Sequence, residues 1–175
     1  MALDVDSTPV AGVWVKHSAS GLPPFPSRID PPDNRWQRGK VVDAIYLADS
    51  EPTAWAEWYR HLAEYGTPPA MGLPRDLWEW EVDIEVADLS TEARLGRVSL
   101  QLPTPGRSTW RPFQAVGEQL WREGLRGLLA PSAARPAGPS LCLFWPTEAS
   151  IDGAEPLTPP RLVVDVPVPP RGMTT

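Results

Sequence analysis

The chain has 175 residues, with 16 Lys and Arg against 22 Asp and Glu, a net charge of −6. Hydrophobic residues make up 42% and charged residues 22%, which suits one globular core and excludes a wholly disordered chain. The acidic balance argues against direct nucleic-acid binding, which needs a basic footprint to displace counterions. No run approaches the ~18–20 apolar residues of a membrane span, and the opening MALDVDSTPV lacks a basic-then-apolar leader pattern. A cytoplasmic, membrane-free protein is the expectation. Cys142 is the lone cysteine, and His17 and His61 are the only histidines, which speaks against a disulfide framework or a metal centre.

In chain order, residues 1–11 carry no periodicity and read as a loose terminus. Residues 13–16 are a short apolar strand. The proline-rich run 21–33 cannot form a ladder, because proline removes amide donors, and so reads as a long functional loop. Residues 44–48 (AIYLA) predict a buried strand, followed by Asp49 and Ser50 as candidate caps and Pro52 in a first helical turn. That helix runs to about Tyr65, where Gly66 stops it. Ala54, Trp55, Trp58, Leu62 and Tyr65 form its apolar stripe, with Glu57, His61 and Glu64 on the flank.

Residues 78–86 (WEWEVDIEV) alternate apolar and acidic side chains without a miss, so Glu79, Glu81, Asp83 and Glu85 should face solvent. A second helix is predicted over 112–123, with Ser108 or Thr109 near its cap and Gly124 as its stop. Residues 141–145 (LCLFW) predict another buried strand, with Cys142 an inert thiol. Past residue 146 only 162–168 is dense enough for an edge strand or a partner contact. Nine tryptophans are a heavy load, and core filling is the better reading for most of them. Strands and helices mix without strict alternation, which predicts an α+β fold.

Three segments occur together and in order. The first is NRWQRG at 34–39 with IYLA at 45–48 and TAWAE at 53–57. The second is VADLS at 86–90. The third is GLLAPSAAR at 127–135 with LCLF at 141–144. This set resembles the RES family, named for its Arg, Glu and Ser. The resemblance spans a domain over 12–146 and leaves 147–175 as a Pro-rich extension. It implies an ADP-ribosyltransferase-like mixed sheet with flanking helices. It also implies cleavage of the nicotinamide–ribose bond of NAD⁺, with water or inorganic phosphate as acceptor and no cofactor besides. Family members commonly act as toxins silenced by a helix-turn-helix antitoxin, so homo- or hetero-oligomers are expected.

On that mapping Arg35, Glu57 and Ser132 are the three family residues, and Tyr46 is the strand tyrosine. Losing nicotinamide leaves positive charge on the ribose, an oxocarbenium-like state that a carboxylate such as Glu57 could stabilise. Arg35 offers a planar fork to the pyrophosphate. Tyr46 and Trp36 could stack on a ring of the dinucleotide. Ser132 could bind a ribose hydroxyl or the incoming phosphate. Lys16 is a further phosphate contact, although it lacks an arginine's fork. Two departures stand out: Asp33-Asn34 where the family often has a Gly pair, and Lys16-His17 where its first strand often ends in Arg. His61 reads as a helix-surface residue or one that orients Glu57. Other readings stay open: a nucleotide- or partner-binding domain with little turnover, or a protein ADP-ribosyltransferase. An unrelated hydrolase pairing Glu57 with Glu64 is disfavoured, since i and i+7 lie about 10 Å apart along a helix.

Overall fold

A computed structural model describes residues 2–26, 29–145 and 150–175. Its architecture is α+β: six strands and three α-helices in the order β1 (Asp6–Ala19), β2 (Asp43–Ala48), α1 (Glu51–Glu64), β3 (Arg75–Asp88), α2 (Glu92–Arg97), α3 (Trp110–Arg122), β4 (Gly127–Pro131), β5 (Pro139–Trp145) and β6 (Ala154–Val163). The sheet runs β1-β2-β5-β4-β3-β6, and β1 also pairs with β3, so five strands close on themselves and β6 hangs on the outside. β1 and β3 pair antiparallel over fourteen residues, from Asp6 opposite Asp88 to Ala19 opposite Arg75. β3 gives its other edge to β6 and, near its end, to β4 in parallel. No helix among the described residues is long and apolar enough to cross a membrane.

The period of two in a strand sorts side chains into two cores. Ile45 and Leu47 of β2 and Leu141, Leu143 and Trp145 of β5 share one face of the sheet. There they meet Trp14, Trp78, Trp80, Val82, Ile84 and Val86. Ala44, Cys142 and Phe144 point the other way, against Phe113, Val116 and Leu120 of α3. β2 and β5 are therefore apolar on both faces, which is why they read as continuous hydrophobic runs. Over residues 78–86 β3 buries one face only: Glu79, Glu81, Asp83 and Glu85 are exposed, as the alternation predicts. A third cluster packs Trp55, Trp58, Tyr59 and Leu62 of α1 on Val15, Ala48 and Leu77. Eight of the nine tryptophans are buried, so core filling accounts for nearly all of them. Burial pushes the Cys142 thiol up to about 12, in keeping with an inert core residue.

Two expectations need correction. Residues 6–11 are strand, because β3 supplies every partner that their own weak pattern does not announce. The edge strand is residues 154–163 rather than 162–168. Pro156, Pro159 and Pro160 are tolerated there because an outermost strand leaves one side of its ladder unpaired. β6 extends the sheet, Tyr59 donates to the carbonyl of Pro167, and the Thr174 amide donates to Ala134 at 2.6 Å. α2 was not anticipated; six residues are too short for a periodic signal.

Candidate active site

A cavity of about 320 Å³ opens where β1, β2, α1 and the turn after β4 converge. That is the lower end of the ~300–1,000 Å³ common for small-molecule sites. Its walls include Lys16, Arg35, Trp36, Tyr46, Glu57 and Ser132, so the structure gathers every residue singled out from the sequence. It also brings in His17, Arg60, His61 and Arg75, which that reading did not assign to a ligand.

Ser132 begins the tight turn between β4 and β5, closed by its own amide to Gly138 O at 3.0 Å. Its Oγ accepts from the amides of Ala134 and Arg135, both at 3.1 Å, and donates to Glu57 Oε1 at 2.5 Å. The turn docks on the start of α1 through Gly138. A Cβ there would lie 2.2 Å from Thr53 Oγ1, so a larger residue would push the serine away from the helix. Glu57 Oε2 accepts from Arg60 Nε at 2.8 Å, and Arg60 Nη1 is also bonded to Glu64. Both Glu57 oxygens are thus held. The orienting partner is Arg60 at i+3, so of the two readings of His61 the helix-surface one holds: it is exposed, and its ring packs on Tyr65, 4.9 Å between centroids.

Arg35 arrives on the loop after β1, which is fastened to α3. Gln114 Nε2 donates to Asn34 O at 2.9 Å, and Arg38 Nε donates to Glu118 at 2.5 Å. Gly117 lets the helix approach, since a Cβ there would sit 1.9 Å from Trp36 O. The Tyr46 hydroxyl donates to Gln37 Oε1 at 2.6 Å and accepts the Trp36 amide at 3.2 Å. Tyr46 therefore braces the arginine loop as well as lining the cavity. The Trp36 indole is 3% exposed and lies edge-on to Phe113, which leaves it little ring face for a ligand. Asp33 is turned away from the cavity, with Oδ1 accepting the Gly39 amide at 3.0 Å.

Arg35 itself is 8% exposed. Its Nη2 donates to Thr104 O at 2.6 Å, its Nη1 to Thr109 Oγ1 at 3.3 Å, and its guanidinium lies 5.2 Å from the Phe113 ring centre. Burial and the neighbouring Arg60 push its pKa down to about 10, against the pull of Glu57 and Glu64. Burial, Arg75, Lys16 and His61 hold His17 well below the usual histidine range. Four basic side chains line this cavity against the single carboxylate of Glu57, in a chain whose net charge is −6. An anion is the ligand such a lining favours. Among the described residues, no group of three or more His, Cys, Asp or Glu could hold a metal ion.

The chain matches the RES domain over residues 11–165. No curated protein sequence matches it. Among solved structures it is similar to a chain of the M. tuberculosis MbcT–MbcA toxin–antitoxin complex, with a TM-score of 0.70 and 20% identity. The match covers 87% of this chain and 84% of that one. At that identity the likeness speaks for the fold.

Proposed function

The chain belongs to the RES-domain family, and from that premise we propose that it cleaves the nicotinamide–ribose bond of NAD⁺. The observation that carries the reading is Glu57, held by Ser132 and Arg60 in an otherwise basic cavity. A dinucleotide presents two kinds of charge to such a site. Its pyrophosphate is anionic and suits the forked donors of Arg35, of whose five N–H groups two are engaged by protein oxygens. Its reacting ribose turns cationic as the bond breaks, and a fixed carboxylate stabilises that state.

The C–N bond breaks and its electron pair goes to the ring nitrogen of nicotinamide, which leaves neutral. No general acid is needed, which suits a site whose two histidines are both held neutral. A water or phosphate oxygen then bonds to the ribose carbon, and the acceptor's proton passes to solvent. Ser132, whose hydroxyl is fully engaged by Glu57 and two backbone amides, acts in this reading by holding the carboxylate that meets the ribose. Tyr46 offers ring surface at the wall. NAD⁺ is substrate here, and no further cofactor is invoked.

The biological role we propose is that of a toxin acting in the cytoplasm, restrained by a basic helix-turn-helix antitoxin that covers the cavity mouth and supplies any DNA contact. That the structural neighbour is a chain of a toxin–antitoxin complex supports this role. The test is direct: incubate the purified chain with NAD⁺, with and without inorganic phosphate, and identify the products. Nicotinamide should appear together with ADP-ribose or its 1″-phosphate. An unchanged NAD⁺ pool would overturn the reading. Transfer of ADP-ribose to protein would replace it with the ADP-ribosyltransferase alternative.

A further inference from the structure

Two guanidinium groups line the cavity without a carboxylate in ion-pairing distance among the described residues, and they stand in different surroundings. Arg35 has Arg60, Glu57 and Glu64 as its charged neighbours. Arg75, the first residue of β3, has the adjacent Asp76 as its charged neighbour and His17 as its hydrogen-bond partner, and His17 in turn has Lys16 beside it. His61 lines the same cavity.

Arg75 is held in place but not neutralised. Its Nη2 lies 2.8 Å from His17 Nδ1. Arginine can only donate, so Nδ1 is the bare nitrogen of a neutral imidazole and adds no negative charge. The His17 ring is fixed in turn by stacking on Trp55, 5.7 Å between centroids and 13° from parallel. The adjacent carboxylate, Asp76, is already engaged by Ser20 Oγ at 3.0 Å and the Gly21 amide at 2.8 Å. Arg75 Nε is buried without a hydrogen-bond partner. A half-buried cation in this state has lost water and gained only the through-space attraction of Asp76, with no carboxylate bonded to its fork, an arrangement that a protein keeps at a cost unless an anion completes it.

We propose that Arg75, oriented by His17 and flanked by Lys16, forms a second anion subsite in the cavity that takes a phosphate group. Its fork fits two oxygens of one phosphate, which Lys16 alone could not engage as a pair. The proposal rests on the reading of this cavity as the NAD⁺ site. The phosphate is either one half of the dinucleotide's pyrophosphate or the inorganic phosphate that attacks the ribose.

The test compares wild type with Arg75→Gln and Arg75→Lys, each checked for an unchanged thermal transition. Glutamine should raise the KM for a phosphate-bearing reactant by about tenfold or more, with lysine in between. A rise confined to NAD⁺ assigns the subsite to the pyrophosphate, and a rise confined to inorganic phosphate assigns it to the acceptor. Folded Arg75→Gln with both KM values unchanged overturns the subsite. Should wild type release no nicotinamide, the functional reading falls. Calorimetric titration with inorganic phosphate and pyrophosphate then decides the subsite, and equal binding by wild type and Arg75→Gln refutes it.

Discussion

Ser132 and Glu57 lie 75 positions apart in the chain, and the serine hydroxyl donates to the glutamate across 2.5 Å. One sits on a turn between strands and the other on a helix, so only the tertiary fold can make this pair. The same hydroxyl accepts two backbone amides, which fixes its lone pairs and leaves its proton directed at the carboxylate. Glu57 therefore meets a substrate as a held anion, with its orientation settled beforehand.

Replacing that anion tests the chemistry most directly. Glu57→Gln keeps the shape and a hydrogen-bond acceptor for Ser132 but removes the charge that would face a ribosyl cation. Turnover of NAD⁺ should fall by at least about 10²-fold, the usual scale for losing one electrostatic stabiliser, while NAD⁺ affinity changes little. Steady-state kinetics beside calorimetric binding would check this. Undiminished turnover would return Glu57 to the status of a helix-flank carboxylate.

Arg60 is a positioning residue, acting through Glu57. In Arg60→Gln the carboxylate keeps its serine and loses its cationic partner, so it can rotate about its side-chain torsions. We expect kcat to drop by about tenfold, an order smaller than the loss for Glu57→Gln, with KM for NAD⁺ nearly unchanged. A fall in KM-derived affinity with kcat intact would instead make Arg60 a phosphate contact.

How much of this was legible in the sequence depends on which residues one asks about. The alternation of β3 was plain because one face meets solvent, and β2 and β5 were plain as short apolar runs. The first half of β1 was hidden: Pro9 and Gly12 interrupt it, and its strand character is conferred by fourteen pairings with β3. Arg35, Glu57 and Ser132 were named from the ordered motifs, and the fold gathers them round one cavity. The pairing of His17 with Arg75 carried no signal at all. The two lie 58 positions apart, and their contact exists because β1 and β3 pair in one register. Arg60 could have been found, since i and i+3 on a helix are neighbours.

Arg35→Lys retains the positive charge and loses the fork. Lysine cannot span Thr104 O and Thr109 Oγ1 while also facing a ligand, and its ammonium is harder to strip of water in so buried a place. NAD⁺ affinity should weaken by about tenfold or more, since a hydrogen bond to a charged group is worth about 1.5–3 kcal/mol. An unchanged dissociation constant by calorimetry would count Arg35 as a structural strut for the loop against α3.

The last expectation concerns pH and follows from His17. Burial first, then Arg75, Lys16 and His61, lower its pKa in the folded chain well below the unfolded value near 6.5. As pH falls through the unfolded pKa, the unfolded chain takes up a proton that the folded chain refuses. Stability should therefore be fully present above about pH 6.5 and decline below it, by at most about 1.4 kcal/mol per pH unit from this group. His61 is shifted in the same direction, chiefly by burial, and adds to the slope. The carboxylates lowered by their arginine partners, Asp4, Asp6 and Glu118, titrate below this window and leave it clear. Urea unfolding at steps between pH 7.5 and 5.5 would measure the decline. His17→Gln, which keeps an acceptor for Arg75 but cannot take up a proton, should flatten most of it. A slope as steep in that variant as in wild type would show that His17 is protonated in the folded chain. Its role as a neutral acceptor for Arg75 would then have to be abandoned.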